Sequence, residues 1–142
     1  MSPEKFSTLR ERYPAIFAPS EYASEPVDSC GVECGDGWFD VIDSLCSSIQ
    51  RYVDHTVRRG AALLEDIQPR AVQVKEKFGG LRFYIDGGDD VVHHLIDLAE
   101  THSTKVCETC GSRGRQQRFG GWVHTACDPC FEGRSWRKSA EG

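Results

Sequence analysis

Seven cysteines, at positions 30, 34, 46, 107, 110, 127 and 130, are the residues whose type and spacing best suit chemistry. The last four read Cys107-Glu-Thr-Cys110 and, after sixteen intervening residues, Cys127-Asp-Pro-Cys130. Two C-x2-C pairs at this separation are the ligand pattern of a tetrathiolate zinc site. Each short pair works because a tight turn aims two sulfurs at one ion. Gly111 follows the first pair, where such a turn wants a residue tolerant of positive φ, and Pro129 stiffens the second. Four thiolates complete a tetrahedral shell and leave no position for water, so the predicted cofactor is a structural Zn2+ held by Cys107, Cys110, Cys127 and Cys130. A zinc deaminase would also need a His-x-Glu triplet, and none occurs. His124 and His102 stand near the pairs and rank below the cysteines as ligands.

The remaining cysteines carry less. Cys30 and Cys34 offer half of a second site, which only Cys46 and His55, His93 or His94 would be left to complete. They are read as thiols in a reducing compartment, and Cys46 as a core residue on an apolar helical face. An odd cysteine count argues against a disulfide framework.

The elements that must position the zinc ligands come next. Arg118 to Thr125 predicts a hairpin turning at Gly120-Gly121, with Phe119 and Trp122 laid over the metal. A short helix is expected from Phe131, weakened by Gly133. Knuckle, hairpin and second pair fit a zinc ribbon or a treble clef, and the spacing leaves both open.

Upstream, Ser2-Pro3 starts a helix that runs through Arg12 and stops before Pro14. Residues 18–34 read as irregular. Trp38, Val41, Ile42, Leu45, Cys46, Ile49, Tyr52 and Val53 recur at helical spacing, with Asp36 as candidate cap and Arg58-Arg59-Gly60 as the ending. Ala71–Phe78 and Leu81–Asp86 alternate as two strands joined at Gly79-Gly80. That turn sets Phe78 opposite Leu81, Glu76 opposite Phe83, Val74 opposite Ile85 and Lys77 opposite Arg82. Val72, Val74 and Phe78 are expected on its buried face. Asp89-Asp90 caps a last helix whose apolar face comprises Val91, Val92, Leu95, Ile96, Leu98 and Ala99. A two-stranded hairpin is marginal alone, so helices must cover it. The fold class is α+β: helices packed on a small antiparallel hairpin, with a C-terminal zinc-ribbon or treble-clef-like module. Residues 1–103 and 104–142 are expected to pack as one unit, because the link between them is short.

A length of 142 residues with 39% hydrophobic and 27% charged composition supports one modest core. The net charge of −5 disfavours generic coating of nucleic acid. No apolar run approaches the roughly 20 residues of a membrane span and the first residues do not begin a signal peptide, so a cytoplasmic protein without a membrane partner is expected. Charge is segregated. Residues 1–103 hold ten Lys and Arg against eighteen Asp and Glu, and residues 104–142 hold seven against four.

Gly35-Asp-Gly-Trp38, Val74-Lys-Glu-Lys-Phe-Gly-Gly-Leu-Arg-Phe-Tyr84 and the Cys107-to-Cys130 module together resemble a family of small bacterial and phage or prophage proteins with no assigned activity. The likeness spans residues 30–130. It implies a bacterial cytoplasm or a phage-infected host cell and an accessory role, and transfers no catalytic residue.

The reading is a zinc-stabilised, non-enzymatic protein-binding module, with inhibition of a host defence system or host enzyme as its phage version. Lys75, Lys77, Arg82 and Tyr84 are the candidate partner-binding residues, on the face of the hairpin away from its apolar side. The alternative is a zinc-dependent nucleic-acid-binding regulator using Arg113, Arg115, Arg118, Arg134, Arg137 and Lys138. Asp36, Glu76 and the histidines assemble into no recognisable catalytic spacing, which leaves a hydrolase as the weakest reading.

Overall fold

The computed structural model describes residues 1–21 and 31–133. Helix α1, Pro3–Arg12, starts as its sequence predicts: Pro3 opens it and Ser2 Oγ accepts the Lys5 amide at 3.4 Å. Phe6 and Leu9 are its buried face. Asp36 does not cap the long helix. Its Oδ1 instead accepts the Ser2 amide at 2.6 Å, tying the chain start to the loop before that helix. A 3-10 turn over Asp36–Trp38 leads into α2, Phe39–Arg58, which buries Val41, Ile42, Leu45, Cys46, Ile49 and Val53. Arg59 closes it by donating to the His55 carbonyl, and Gly60 leaves at φ +74°. One further turn, α3 (Leu64–Ile67), buries only Ile67.

Strands β1 (Arg70–Lys77) and β2 (Gly80–Asp86) form the expected hairpin in a different register. The turn is Phe78-Gly79, with φ +52° and +80°, so Lys77 pairs with Gly80, Glu76 with Leu81, Lys75 with Arg82 and Val74 with Phe83. A two-residue hairpin wants positive φ at both turn positions, and Glu76 favours this one by accepting the Gly79 amide at 2.7 Å. An irregularity between Ala71 and Gln73 then buries both Ala71 and Val74, while Val72 is half-buried and Phe78 is 73% exposed. Both edges of this ribbon are covered. Glu33 pairs along β1, donating to Val74 and accepting from Glu76. The outer amides of β2 go to side chains, Leu81 to Ser103 Oγ at 2.9 Å and Phe83 to Glu100 Oε2 at 3.3 Å.

Those two acceptors sit on α4, Asp90–Ser103, whose start is capped by Asp89 as predicted. Val92 and Ile96 are buried, but Val91 and Leu98 are exposed, so the apolar face is narrower than its sequence suggests. A single core joins Phe6, Leu9, Trp38, the inner face of α2, Val74, Leu81, Phe83 and α4. Strands β3 (Arg115–Phe119) and β4 (Trp122–Ala126) make a second two-stranded sheet, turning at Gly120-Gly121 as expected, and α5 spans Asp128–Glu132. Among the described residues no helix is long and apolar enough to cross a membrane.

Candidate metal centre

The four cysteines of the two pairs come together. Their sulfurs all lie within 4.8 Å of one another, and Cys110 Sγ stands 3.7 Å from Cys127 Sγ. A tetrahedron with Zn–S bonds of about 2.3 Å has edges of about 3.8 Å, so the sulfur cage fits a thiolate-bound ion of that size. Among the described residues this is the one His, Cys, Asp and Glu group close enough to hold a metal. His102 and His124 are outside it.

Each pair is shaped locally. Val106 bridges Arg113, the Cys107 amide donates to Ser112 at 2.7 Å, and the Gly111 amide donates to Cys107 at 2.9 Å. This knuckle turns at Gly111, with φ +80°. The second pair is built differently: Cys127 is the residue before α5 and Cys130 lies within the helix, whose first turn Phe131 closes by donating to the Cys127 carbonyl. Knuckle, hairpin, then a helix carrying the second pair is the order of a treble clef; a ribbon would use two knuckles. Cys107, Ala126 and Phe131 are buried together, with Phe119 against them. Trp122 does not cover the site as expected, being 74% exposed at the hairpin tip.

The thiols are electrostatically uneven. Hydrogen bonds from the Ser112 side chain and backbone draw Cys110 down to about 6, and sharing with Cys127 pushes Cys130 up to about 12. A bound dication would release the shared protons and hold all four as thiolates. Cys34 and Cys46 are the opposite case: burial pushes Cys34 up to about 12 and raises Cys46 further, which makes both inert core thiols. Cys30 lies outside the described residues.

Two sequence motifs turn out to be clamps on this module. Gly35 and Gly37 lie against the knuckle backbone, and a Cβ on Gly35 would stand 2.3 Å from the Glu108 carbonyl oxygen. The Gly37 amide donates to that same carbonyl at 2.7 Å, and the buried Trp38 indole donates to Val106 at 2.8 Å. On the other side Thr125 Oγ1 donates to the carbonyl of Gly79, the turn glycine of the first hairpin. The spacing of Gly-Asp-Gly-Trp carried no sign of a metal contact. Only the paired glycines hinted that another backbone comes close.

Lys75, Lys77, Arg82 and Tyr84 do share the outward face of the first hairpin. Lys75, rather than Lys77, faces Arg82, and acids flank that pair: Glu33 is in register beside Lys75, and Glu100 feels the charge of Arg82. Arg113 and Arg118 are exposed, Arg115 is paired with Asp128 at 2.9 Å, and Arg134, Arg137 and Lys138 lie outside the described residues. No protein-family model matches the chain, and neither a curated protein nor a solved structure matches it.

Proposed function

We propose that the chain is a zinc-stabilised, non-enzymatic protein-binding module. The observation that carries this reading is a groove of about 550 Å³ between α2 and α4, floored by Val41, Leu45, Leu95, Ala99 and Val106. Leu98 stands on its wall with 67% of its surface exposed. A groove of this kind takes an apolar helical face or a short peptide with spaced anchors. Gly111 lines its end, so the knuckle and its metal shape one wall. A zinc ion held by all four cysteines has no open coordination position, and its contribution is to folding.

The motif resemblance supports a bacterial or phage setting, and inhibition of a host defence system or host enzyme is the version of the reading it suggests. The first 103 residues, with a net charge of −8, would steer the module toward a basic partner surface.

The test is capture of partners from nuclease-treated bacterial lysate with the zinc-loaded chain and with a Leu98→Asp variant. Leu98 is exposed, so the variant should melt at the parent temperature and lose the partner. Equal capture by both, or no protein captured by either, overturns the proposal. Stoichiometric zinc by elemental analysis tests its metal.

A further inference from the structure

Phe78 breaks two folding preferences at once. It is the one non-glycine residue with positive φ among those described, in a turn position that Asn or Gly ordinarily fills. Its ring is also 73% exposed, so it buries little in return. Neither turn nor core asks for an aromatic residue there, and a local rule broken without structural gain is the mark of a contact site. Trp122 repeats the pattern, following its own Gly-Gly turn with 74% of its surface exposed.

The two hairpin tips meet. A Cβ on Gly79 would stand 2.8 Å from Val123 Cγ1 and 3.4 Å from Gln116 Nε2. Phe78 and Trp122 are each one residue from that contact, so their Cα atoms lie within about 15 Å of each other.

The charges around them are positive. Lys77 Nζ sits 5.7 Å from the centre of the Phe78 ring, and Arg118 pairs with Val123 across the second hairpin. No Asp or Glu occurs from residue 109 to 127. Of the carboxylates beside these elements, Glu76 is bound to the Gly79 amide and Asp128 to Arg115. The metal cage is at the far end of β4 from Trp122, about 13 Å of strand away, which exceeds a Debye length of about 8 Å at physiological salt. The acidic excess of the chain belongs to residues 1–103 as a whole, with Glu33 and Glu100 the acids beside Lys75 and Arg82.

We infer that the two tips form a stacking platform for single-stranded nucleic acid, with bases on Phe78 and Trp122 and phosphates on Lys77 and Arg118. Every base has a π face, so such a platform tolerates any sequence, and it needs bases that are free of a duplex. This surface is separate from the α2/α4 groove, and each fails or stands independently of the other.

The experiment uses the zinc-loaded full chain, a fluorescein-labelled oligothymidine of about 16 nucleotides and its duplex as control, read by anisotropy at low and rising salt. Binding of the single strand with quenched indole emission, and weaker binding of the duplex, is expected. Trp122→Ala should keep the parent melting temperature and bind between about fivefold and a hundredfold more weakly. Phe78→Asn should bind at least about fivefold more weakly while melting higher than the parent, because it relieves the turn. A purely structural Phe78 would lose stability when replaced. Lys77→Glu combined with Arg118→Glu should flatten the log–log salt slope by about 1.4, from about 0.7 per phosphate on a single strand. No binding at low salt, or binding that both aromatic variants leave unchanged, overturns the inference. So does loss of a nuclease-resistant protein partner in Trp122→Ala with oligonucleotide binding intact, which would assign the tips to a protein instead.

Discussion

Gly37 and Cys107 are in backbone contact: a Cβ on Gly37 would stand 2.1 Å from the Cys107 carbonyl oxygen. The atom in the way belongs to a main chain that the metal ligands fix, so it cannot swing aside like the end of a long side chain. Gly37→Ala is therefore expected to cost roughly 1–3 kcal/mol or more, in the range of core overpacking, and to weaken metal retention. Gly60→Ala serves as the control, because an added Cβ there meets nothing within 4 Å and only the positive φ is penalised. Chemical denaturation of both variants, with zinc release followed by a colorimetric chelator, checks the difference.

Metal removal should unravel more than the cysteine module. Small zinc modules gain apparent free energies of about 10–16 kcal/mol from their ion, comparable to the whole stability of a domain. Trp38 is buried and donates to Val106 at the mouth of the knuckle, so it reports on the clamp. Strong chelator should abolish its near-ultraviolet circular dichroism and red-shift its emission, a change that Trp122 at its exposed tip cannot produce. An unchanged Trp38 signal, with zinc shown to be gone, contradicts this. Acid should have the same effect, since protons compete with the ion for the four thiolates.

What the sequence made legible follows from the kind of signal involved. Periodicity exposed the helices, because Val41, Ile42, Leu45 and Ile49 must face one core whatever their partner is. The cysteine spacing exposed the metal cage, because one ion demands all four sulfurs. The turn of the first hairpin was misread because Gly79-Gly80 is the obvious choice for positive φ. Nothing local announced that Phe78 would take the first turn position or that Glu76 would hold the Gly79 amide. Asp36 was misread for a related reason: its acceptor serves an amide 34 positions away, at Ser2, and not its own helix. The groove was invisible because it depends on how far α2 and α4 stand apart, which no pattern within either helix encodes.

Ser103 is fully buried and completes the edge of β2, accepting the Leu81 amide while its hydroxyl donates to the Glu100 carbonyl at 2.6 Å. Ser103→Ala would leave the Leu81 amide buried without an acceptor, at a cost of about 1–3 kcal/mol. Ser103→Thr keeps the hydroxyl and should lose less. Urea denaturation ranks the three proteins, and amide exchange at Leu81 should accelerate in the alanine variant alone. An alanine variant as stable as the parent would show that water reaches this edge.

Glu100 tests the same edge through charge. Burial raises its pKa above the ordinary value of 4.5, against the opposing pull of the Phe83 amide and the Arg82 cation. A carboxyl with a folded-state pKa above its unfolded one favours folding most when protonated. Its contribution is fully present below the unfolded value, near 4.5, and is lost as pH rises through the folded value. Glu100→Gln removes the ionisable group and keeps an oxygen for the Phe83 amide. At pH 7 the variant should therefore be as stable as the parent or more so, and its advantage should shrink as the pH falls toward 4.5. Paired urea melts across that interval provide the check. A variant less stable at pH 7 than at low pH, relative to the parent, would mean that the ionised form is held by Arg82 strongly enough to outweigh burial.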